Sequence, residues 1–387
     1  MAKGRYRTHP TGTAMRQFPA SPITALVDES PDVNLSESIG PDLSVADILG
    51  QGDRAGLADL AGVGLGYGTS PGDAGLRALV AGRLGVPGEQ VLLTSGAAGA
   101  LFLVALLHSD GEIVACLPCF PPMIDVLRGL GAPVVTVSGR FEDGYRIDLE
   151  AFGDRLSART RLVMVASPQN PSGVSVTPAE IDAILAARDR RCPEALLLVD
   201  ETFREATYGG ATPAASFAGR SERMLTCASL SKAYGAPGLR IGWLTVPDAR
   251  LREQLRLAKF NSSICCGALD EFLAARLLSR ADELLASRGE LMARARATVE
   301  RWIGDQDGRL EWLRPEAGAF CCVRLDPGRF TVHDVRRFHD RLAGQRTAVA
   351  PGPWFGDDEH VMRLGLAYPP PDVLEKGLGI IADALRP

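Results

Sequence analysis

Short apolar runs alternate with amphipathic stretches through the first two thirds of the chain. Runs near Val91, Ile113, Val134, Val163, Leu197, Leu225 and Trp243 read as buried strands. Helical stretches such as Pro121 to Leu130 and Pro178 to Arg188 lie between them. Strands that are apolar on both faces and separated by helices predict an α/β fold of three layers. Its centre would be a mostly parallel seven-stranded sheet, one strand for each run. From about Leu251 to Ile303 the pattern turns helical, with apolar residues at i, i+3 and i+4 across Asp282 to Trp302. A strand at Ala319 to Leu325 and a helix from Val332 to Leu342 then predict a smaller α+β domain. The expected division is 1–40 for an N-terminal arm and part of the small domain, 41–265 for the large domain, and 266–387 for the C-terminal small domain. A long helix, not a tether, would join the two.

Composition narrows the class. With 387 residues, of which 46% are apolar and 23% charged, the chain can bury a large core. No run of about 18 apolar residues is present, so no membrane-spanning helix is expected. Met1 to Phe18 is basic and polar without an apolar h-region, unlike a secretory signal. The expectation is a cytoplasmic enzyme whose first residues wrap a partner subunit or stay disordered. A net charge of −5 argues against a nucleic-acid or acidic-membrane partner. Eight cysteines include Cys116-x-x-Cys119 and the adjacent pairs Cys265-Cys266 and Cys321-Cys322. There is no second C-x-x-C and no histidine at ligand spacing, so free thiols packed as small apolar groups are expected and a metal is not.

Candidate chemistry centres on Ser229-Leu-Ser-Lys-Ala-Tyr-Gly-Ala-Pro-Gly-Leu-Arg-Ile-Gly-Trp243. The Lys232 amine can condense with an aldehyde to form a Schiff base, which a substrate amine then displaces. Ser229, Ser231 and Arg240 are suited to the phosphate of the same cofactor. A lone lysine in such a loop would read as solvated charge, and four further segments change that. Thr94-Ser-Gly-Ala-Ala-Gly-Ala100 follows an apolar run and opens another, so its free backbone amides would bind phosphate at a helix N-terminus. Asp200 ends the run Ala195 to Val199, where a carboxylate needs a cation such as a protonated pyridine nitrogen; a helix N-cap is the other reading. Asn170 sits in the proline-bracketed turn Ala166-Ser-Pro-Gln-Asn-Pro-Ser-Gly173, stiff enough to aim its amide at a ring oxygen. Phe120 could stack on the ring or serve as an ordinary core aromatic.

Together these segments resemble the fold-type I pyridoxal phosphate enzymes of the class I/II aminotransferase family. The resemblance implies pyridoxal 5'-phosphate as cofactor, with Lys232 as the Schiff-base lysine. It implies Asp200 on the ring nitrogen, Asn170 on the ring oxygen and Phe120 on the ring face. It assigns the phosphate to the amides of Ala97 and Ala98, to Ser229 and Arg240, and to Tyr67 crossing from the other subunit of a homodimer. Tyr67 lies in Gly66-Tyr-Gly-Thr-Ser-Pro-Gly-Asp-Ala-Gly-Leu-Arg77, which matches the family's cross-subunit segment. Arg363, in Val361-Met-Arg-Leu-Gly365, matches the clamp for an amino acid's α-carboxylate, with Asn170 and Ile39 beside the substrate.

Three departures bear on the reaction. Phe203 stands where the family commonly has a tyrosine donating to the ring oxygen, and a phenyl ring cannot donate. The acidity of the lysine–cofactor imine is therefore expected to differ from that of a standard transaminase. Met123 replaces a frequent second aromatic, and Ile39 falls near a frequent glycine, so a remodelled substrate pocket is expected. Several segments, including Ala100 to Leu103 and Arg363-Leu-Gly-Leu-Ala-Tyr-Pro369, are similar to those of capreomycidine synthase-like enzymes of amino acid and antibiotic biosynthesis. Transamination of an amino acid is the first reading, since it needs no further residues. Elimination, cyclisation or decarboxylation of an arginine-derived or cysteine-conjugated amino acid is the alternative. A cofactor-sensing regulator would need a helix-turn-helix module, for which the first ~40 residues are too few.

Overall fold

The computed structural model describes residues 17–386, so the arm expected over Met1 to Phe18 lies outside the described residues except at its end. There the Phe18 ring packs on Gly129, where an added methyl group would meet it at 2.4 Å. Pairing begins with β1 (Val33–Asn34). The large sheet is built from β2 (Val91–Ser95), β3 (Glu112–Leu117), β4 (Val134–Ser138), β5 (Thr160–Ala166), β6 (Leu196–Asp200), β7 (Met224–Ser229) and β8 (Ile241–Thr245). Each of the seven apolar runs supplies one strand, in the order β2-β8-β7-β6-β5-β3-β4.

The period of two explains why these runs are apolar throughout. Leu162, Met164, Leu196 and Leu198 face the helices Gly96–His108 and Pro122–Leu130. Val163, Val165, Leu197 and Val199 face the opposite way, onto Leu149–Arg155 and Pro178–Arg191. The helix Pro178–Arg191 starts where its sequence dictates: Thr177 and Glu180 form a reciprocal capping box, with proline at the first helical position.

Strand direction decides where the sheet can bind a ligand. The neighbours β4, β3, β5, β6 and β7 are parallel, whereas β8 is antiparallel to both β7 and β2. The start of β8 therefore lies at the same edge as the ends of β2 and β7, with Ser95 opposite Ile241 and Ser229 opposite Gly242. Asp200, the last residue of β6, sits between Ala166 of β5 and Cys227 of β7. Residues far apart in sequence thus meet at one sheet edge, the edge where open α/β sheets bind ligands.

Three helices, Ala249–Ser263, Ala268–Ser279 and Ala281–Gly304, fill the stretch read as helical. The remaining strands are β9 (Leu310–Leu313), β10 (Phe320–Leu325), β11 (Thr347–Ala348), β12 (Ala350–Pro351) and β13 (Val361–Gly365). Four form an antiparallel sheet in the order β12-β13-β10-β9, while β11 pairs with β1. The predicted strand and helix of this region occur at Phe320–Leu325 and Val332–Gly344. The β1–β11 pairing, Val33 opposite Thr347, ties the start of the described chain to its C-terminal part.

All eight cysteines are free thiols. Cys116 is buried within β3, and the lack of water around it pushes the thiol up to about 12. Among the described residues no helix is long and apolar enough to cross a membrane.

Candidate active site

A cavity of about 530 Å³ opens at this sheet edge. Its walls include Ala97, Ala98, Phe120, Asn170, Asp200, Ser229, Lys232 and Arg240, so most of the predicted site residues converge. Leu101, Pro168, Thr202, Phe203 and Ser231 complete much of the lining.

One end of the cavity is built to take an anion. The helix Gly96–His108 begins directly after β2, and Ser95 gives it no side-chain cap, so its first amides remain available. Gly96 has φ +69, and an added Cβ would lie 2.5 Å from Nη2 of Arg240. At Gly242 an added Cβ would approach the amide nitrogen of Ala97 to 2.7 Å. These glycines let the helix start, the β8 start and the arginine crowd together. Arg240 itself holds φ +49, a left-handed backbone that costs a side-chain-bearing residue energy. Its guanidinium donates to the Pro237 carbonyl at 2.8 Å and is exposed to the cavity mouth.

The other end presents a carboxylate. Asp200 is 8% exposed, and its Oδ1 accepts from the Thr202 amide at 2.9 Å. Burial pushes its carboxyl above the usual range, and no arginine or lysine pairs with it among the described residues. The Oγ1 of Thr202 is buried without a partner. Lys232 lines the same cavity. Burial lowers its amine to about 8; the positive charges of Arg363 and Arg240 act in the same direction, against Glu37 and Asp42.

Asn170 links cavity and substrate side. Its Oδ1 accepts from Nη1 of Arg363 at 2.8 Å; since a guanidinium can only donate, the amide NH₂ of Asn170 is left to face other acceptors. Arg363, on β13, is 1% exposed. Its Nη2 donates to the Ser36 carbonyl at 2.5 Å, while its Nε is buried and unpartnered. The rings of Phe355 and Phe320 lie 4.8 and 5.6 Å from its central carbon. Burial lowers this guanidinium to about 10 against the opposing charge of Glu37, and no carboxylate pairs with it within 4.0 Å among the described residues.

Arg363, Tyr67 and Ile39 lie outside the cavity lining of this chain. Arg363 is joined to it through Asn170. Ile39 is buried in the segment beside Arg363. Tyr67 is 86% exposed, but its segment is firmly seated. Lys259 donates to the Ser70 carbonyl at 2.6 Å, Arg256 donates to Ser70 Oγ at 2.8 Å, and Glu271 accepts from the Asp73 amide. Met123 is packed in the core between the sheet and its helices, which corrects the expectation that it shapes the pocket. Phe203 does line the cavity, with its ring edge-on to Phe320 at 4.8 Å. Sequence reasoning missed Thr202, Phe320, Phe355 and Glu37. Thr202 reaches Asp200 from two residues away without a motif of its own, while only the fold brings Phe320, Phe355 and Glu37 to Arg363 and Lys232.

An uncapped helix start, a buried lysine and a buried carboxylate thus share one cavity at the sheet edge, in a fold-type I architecture. The chain belongs to the aminotransferase class I and II family, whose model matches residues 31–381. It is similar to the capreomycidine synthase of Streptomyces vinaceus, with 34% identity over 82% of this chain and 80% of that protein. It is also similar to the arginine–pyruvate transaminase of Pseudomonas aeruginosa, with 32% identity over 73% of this chain and 71% of that one. Among solved structures, the PLP-dependent cyclase OrfR superposes with a TM-score of 0.80 at 26% identity, covering 97% of this chain and 99% of that one. Pyridoxal phosphate is the family's cofactor. The cavity suits it, with amides, hydroxyls and Arg240 where a phosphate needs donors and a lone buried carboxylate where a pyridinium needs an anion.

Proposed function

We propose that this enzyme transfers the amino group of an L-amino acid, with Lys232 as its catalytic residue. The observation that carries the reading is that one cavity is lined by Lys232, by Arg240 with the helix start at Ala97 and Ala98, and by the unpaired carboxylate of Asp200. Pyridoxal phosphate, once bound, supplies an aldehyde that bonds an amine and a ring that draws electrons from the substrate's α-carbon. The amides of Ala97 and Ala98, Ser229 and Arg240 would hold its phosphate, and Asp200 its ring nitrogen. Asn170 would donate its NH₂ to the ring oxygen, and Phe120 would cover one face. Arg363 orients the substrate by taking the α-carboxylate on its free Nε edge. The Lys232 amine, lowered to about 8, is the base this site offers for the α-proton. The large cofactor domain in this reading spans 41–265, flanked by small-domain segments at 1–40 and 266–387.

The exposed Tyr67 on a rigid base supports a homodimer in which it reaches the neighbouring site. Leu65, Phe260 and Leu257 are also exposed apolar residues that a second copy would cover.

Phe203 favours a second reading, a reaction that ends in cyclisation, elimination or decarboxylation, because the ring oxygen loses a phenol donor. Similarity to a synthase and a cyclase points the same way. The deciding experiment mixes loaded protein with single amino acids without a keto-acid acceptor, followed by absorbance and product mass. One equivalent of keto acid with conversion of the cofactor to its amine form supports transamination. Repeated turnover releasing ammonia, carbon dioxide or a cyclised product overturns it.

A further inference from the structure

The segment from Leu35 to Leu43 is strung between the two cations that handle the substrate. At its start, the Gly365 amide donates to the Leu35 carbonyl at 2.8 Å, and Arg363 grips the Ser36 carbonyl. At its end, the Leu43 amide donates to the Gly235 carbonyl at 2.8 Å, three residues beyond Lys232. Arg288 locks this end by donating to both the Pro41 carbonyl at 2.8 Å and the Ala233 carbonyl at 2.9 Å. Packing leaves no slack: a Cβ on Gly365 would lie 2.2 Å from the Glu37 carbonyl oxygen. The backbone that carries Glu37 and Asp42 is therefore fixed between its anchors at Arg363 and Gly235.

Neither carboxylate is taken up by a direct partner. Among the described residues, neither side chain makes a hydrogen bond or an ion pair within 4.0 Å. Glu37 nevertheless acts on both Lys232 and Arg363, raising the proton affinity of each, and Asp42 acts on Lys232 and Arg288. The phenol of Tyr368 is in the field of both carboxylates. Glu37 is half-buried and Asp42 exposed, so it is the Glu37 carboxylate whose lack of a partner is a cost unless a ligand meets it. The unpartnered Nε of the fully buried Arg363 independently marks the Arg363 end of the segment as a place for a ligand with a carboxylate.

We infer that Glu37, assisted by Asp42, selects amino acids whose side chain carries a positive charge, such as a guanidinium or an amine. This rests on the reading of Arg363 as the carboxylate clamp. A hydrogen bond to a charged group, set against the same bond to a neutral one, is worth a discrimination on the order of tenfold or more.

The test compares δ-guanidinovalerate with δ-ureidovalerate, which match in shape and differ in charge. Binding to the pyridoxal phosphate-loaded enzyme is measured by calorimetry, alongside turnover of arginine against citrulline. The guanidino compound should bind at least tenfold tighter, arginine should be preferred similarly, and both preferences should fall to within about threefold in Glu37→Gln. Equal binding and turnover in the wild type overturn the inference while leaving the clamp intact. An undiminished preference in Glu37→Gln overturns the role of Glu37. If Glu37→Gln does not fold, as judged by circular dichroism, the wild-type ratio and Asp42→Asn decide: a preference reduced in Asp42→Asn supports the inference, and one unchanged counts against it. Failure of every amino acid to react, with neither probe binding, overturns the clamp reading and this inference with it.

Discussion

Replacing Asp200 by asparagine should have opposite effects on the empty and the loaded protein. The exchange preserves shape, and asparagine Oδ1 can still accept from the Thr202 amide now 2.9 Å from Asp200. In the empty protein the carboxylate is buried without a cation, and its pKa is raised by desolvation. A carboxyl that binds its proton more tightly when folded adds stability at low pH. That contribution is complete below the unfolded value of about 3.9 and is lost as pH rises through the folded value, at about 1.4 kcal/mol for each unit of displacement. Near neutral pH the charge is thus a net cost, and Asp200→Asn without cofactor should melt no lower than wild type and, by this argument, higher. The advantage should vanish below about pH 4. In the loaded protein the charge gains a partner in the ring nitrogen, and asparagine forfeits a charged hydrogen bond worth about 1.5–3 kcal/mol. Cofactor affinity should then fall roughly 10- to 150-fold, with turnover falling at least as far. Calorimetric melting of both forms across pH, with equilibrium dialysis of the cofactor, measures the two effects separately. Wild-type cofactor affinity together with a lower melting point of the empty variant would refute the reasoning.

Three other outcomes are expected. Gly96→Ala places a methyl group 2.5 Å from Arg240 Nη2 in a left-handed backbone, costing about 1–2 kcal/mol for the conformation alone. Retention of cofactor during dialysis should drop sharply, and unchanged retention would count against the anion cradle. Arg363→Lys loses the fork that spans Asn170 and Ser36, so half-saturation by amino acid substrate should rise about tenfold or more with cofactor content unchanged. Steady-state kinetics check this, and an unaltered half-saturation would remove the clamp. Covalent capture of pyridoxal phosphate by the empty protein, followed by absorbance, should accelerate with pH through about 8 and level off above it, because burial lowers the Lys232 amine. A midpoint near the ordinary lysine value would show that burial does not act on it.

The large sheet was legible because strands buried on both faces leave continuous apolar runs bounded by turns. Val91, Ile113 and Trp243 mark strands in the sequence as they do in the structure. Direction leaves no such mark: nothing in Ile241–Thr245 distinguishes an antiparallel strand from a parallel one. The two-residue strands β1, β11 and β12 are too short for any period to register. The site divides the same way. Lys232, Asp200 and Asn170 each sit at a strand end or turn whose residue types announce them. Glu37, Phe320 and Phe355 reach the site only through the second sheet and the β1 segment, so no spacing in the chain could connect them to Lys232. Met123 misled because resemblance places a residue along the chain without fixing which way its side chain faces.

Charge gives these assignments a common basis. Lys232, Arg240 and Arg363 bring positive charge to one small region, and burial lowers the proton affinity of Lys232 and Arg363 there. Asp200 answers only part of that charge, at the far end of the cavity, and is itself pushed toward neutrality. A ligand set that balances the site must therefore bring two anions, one to Arg240 and the Gly96 helix and one to Arg363. A cofactor phosphate and a substrate carboxylate are such a pair, and an amine without a carboxylate leaves Arg363 unanswered. With both anions in place, the positive excess of the substrate side is gone. The carboxylates of Glu37 and Asp42 then face a site that can hold one more cation, which is the condition under which a basic side chain would be chosen over a neutral one of the same shape.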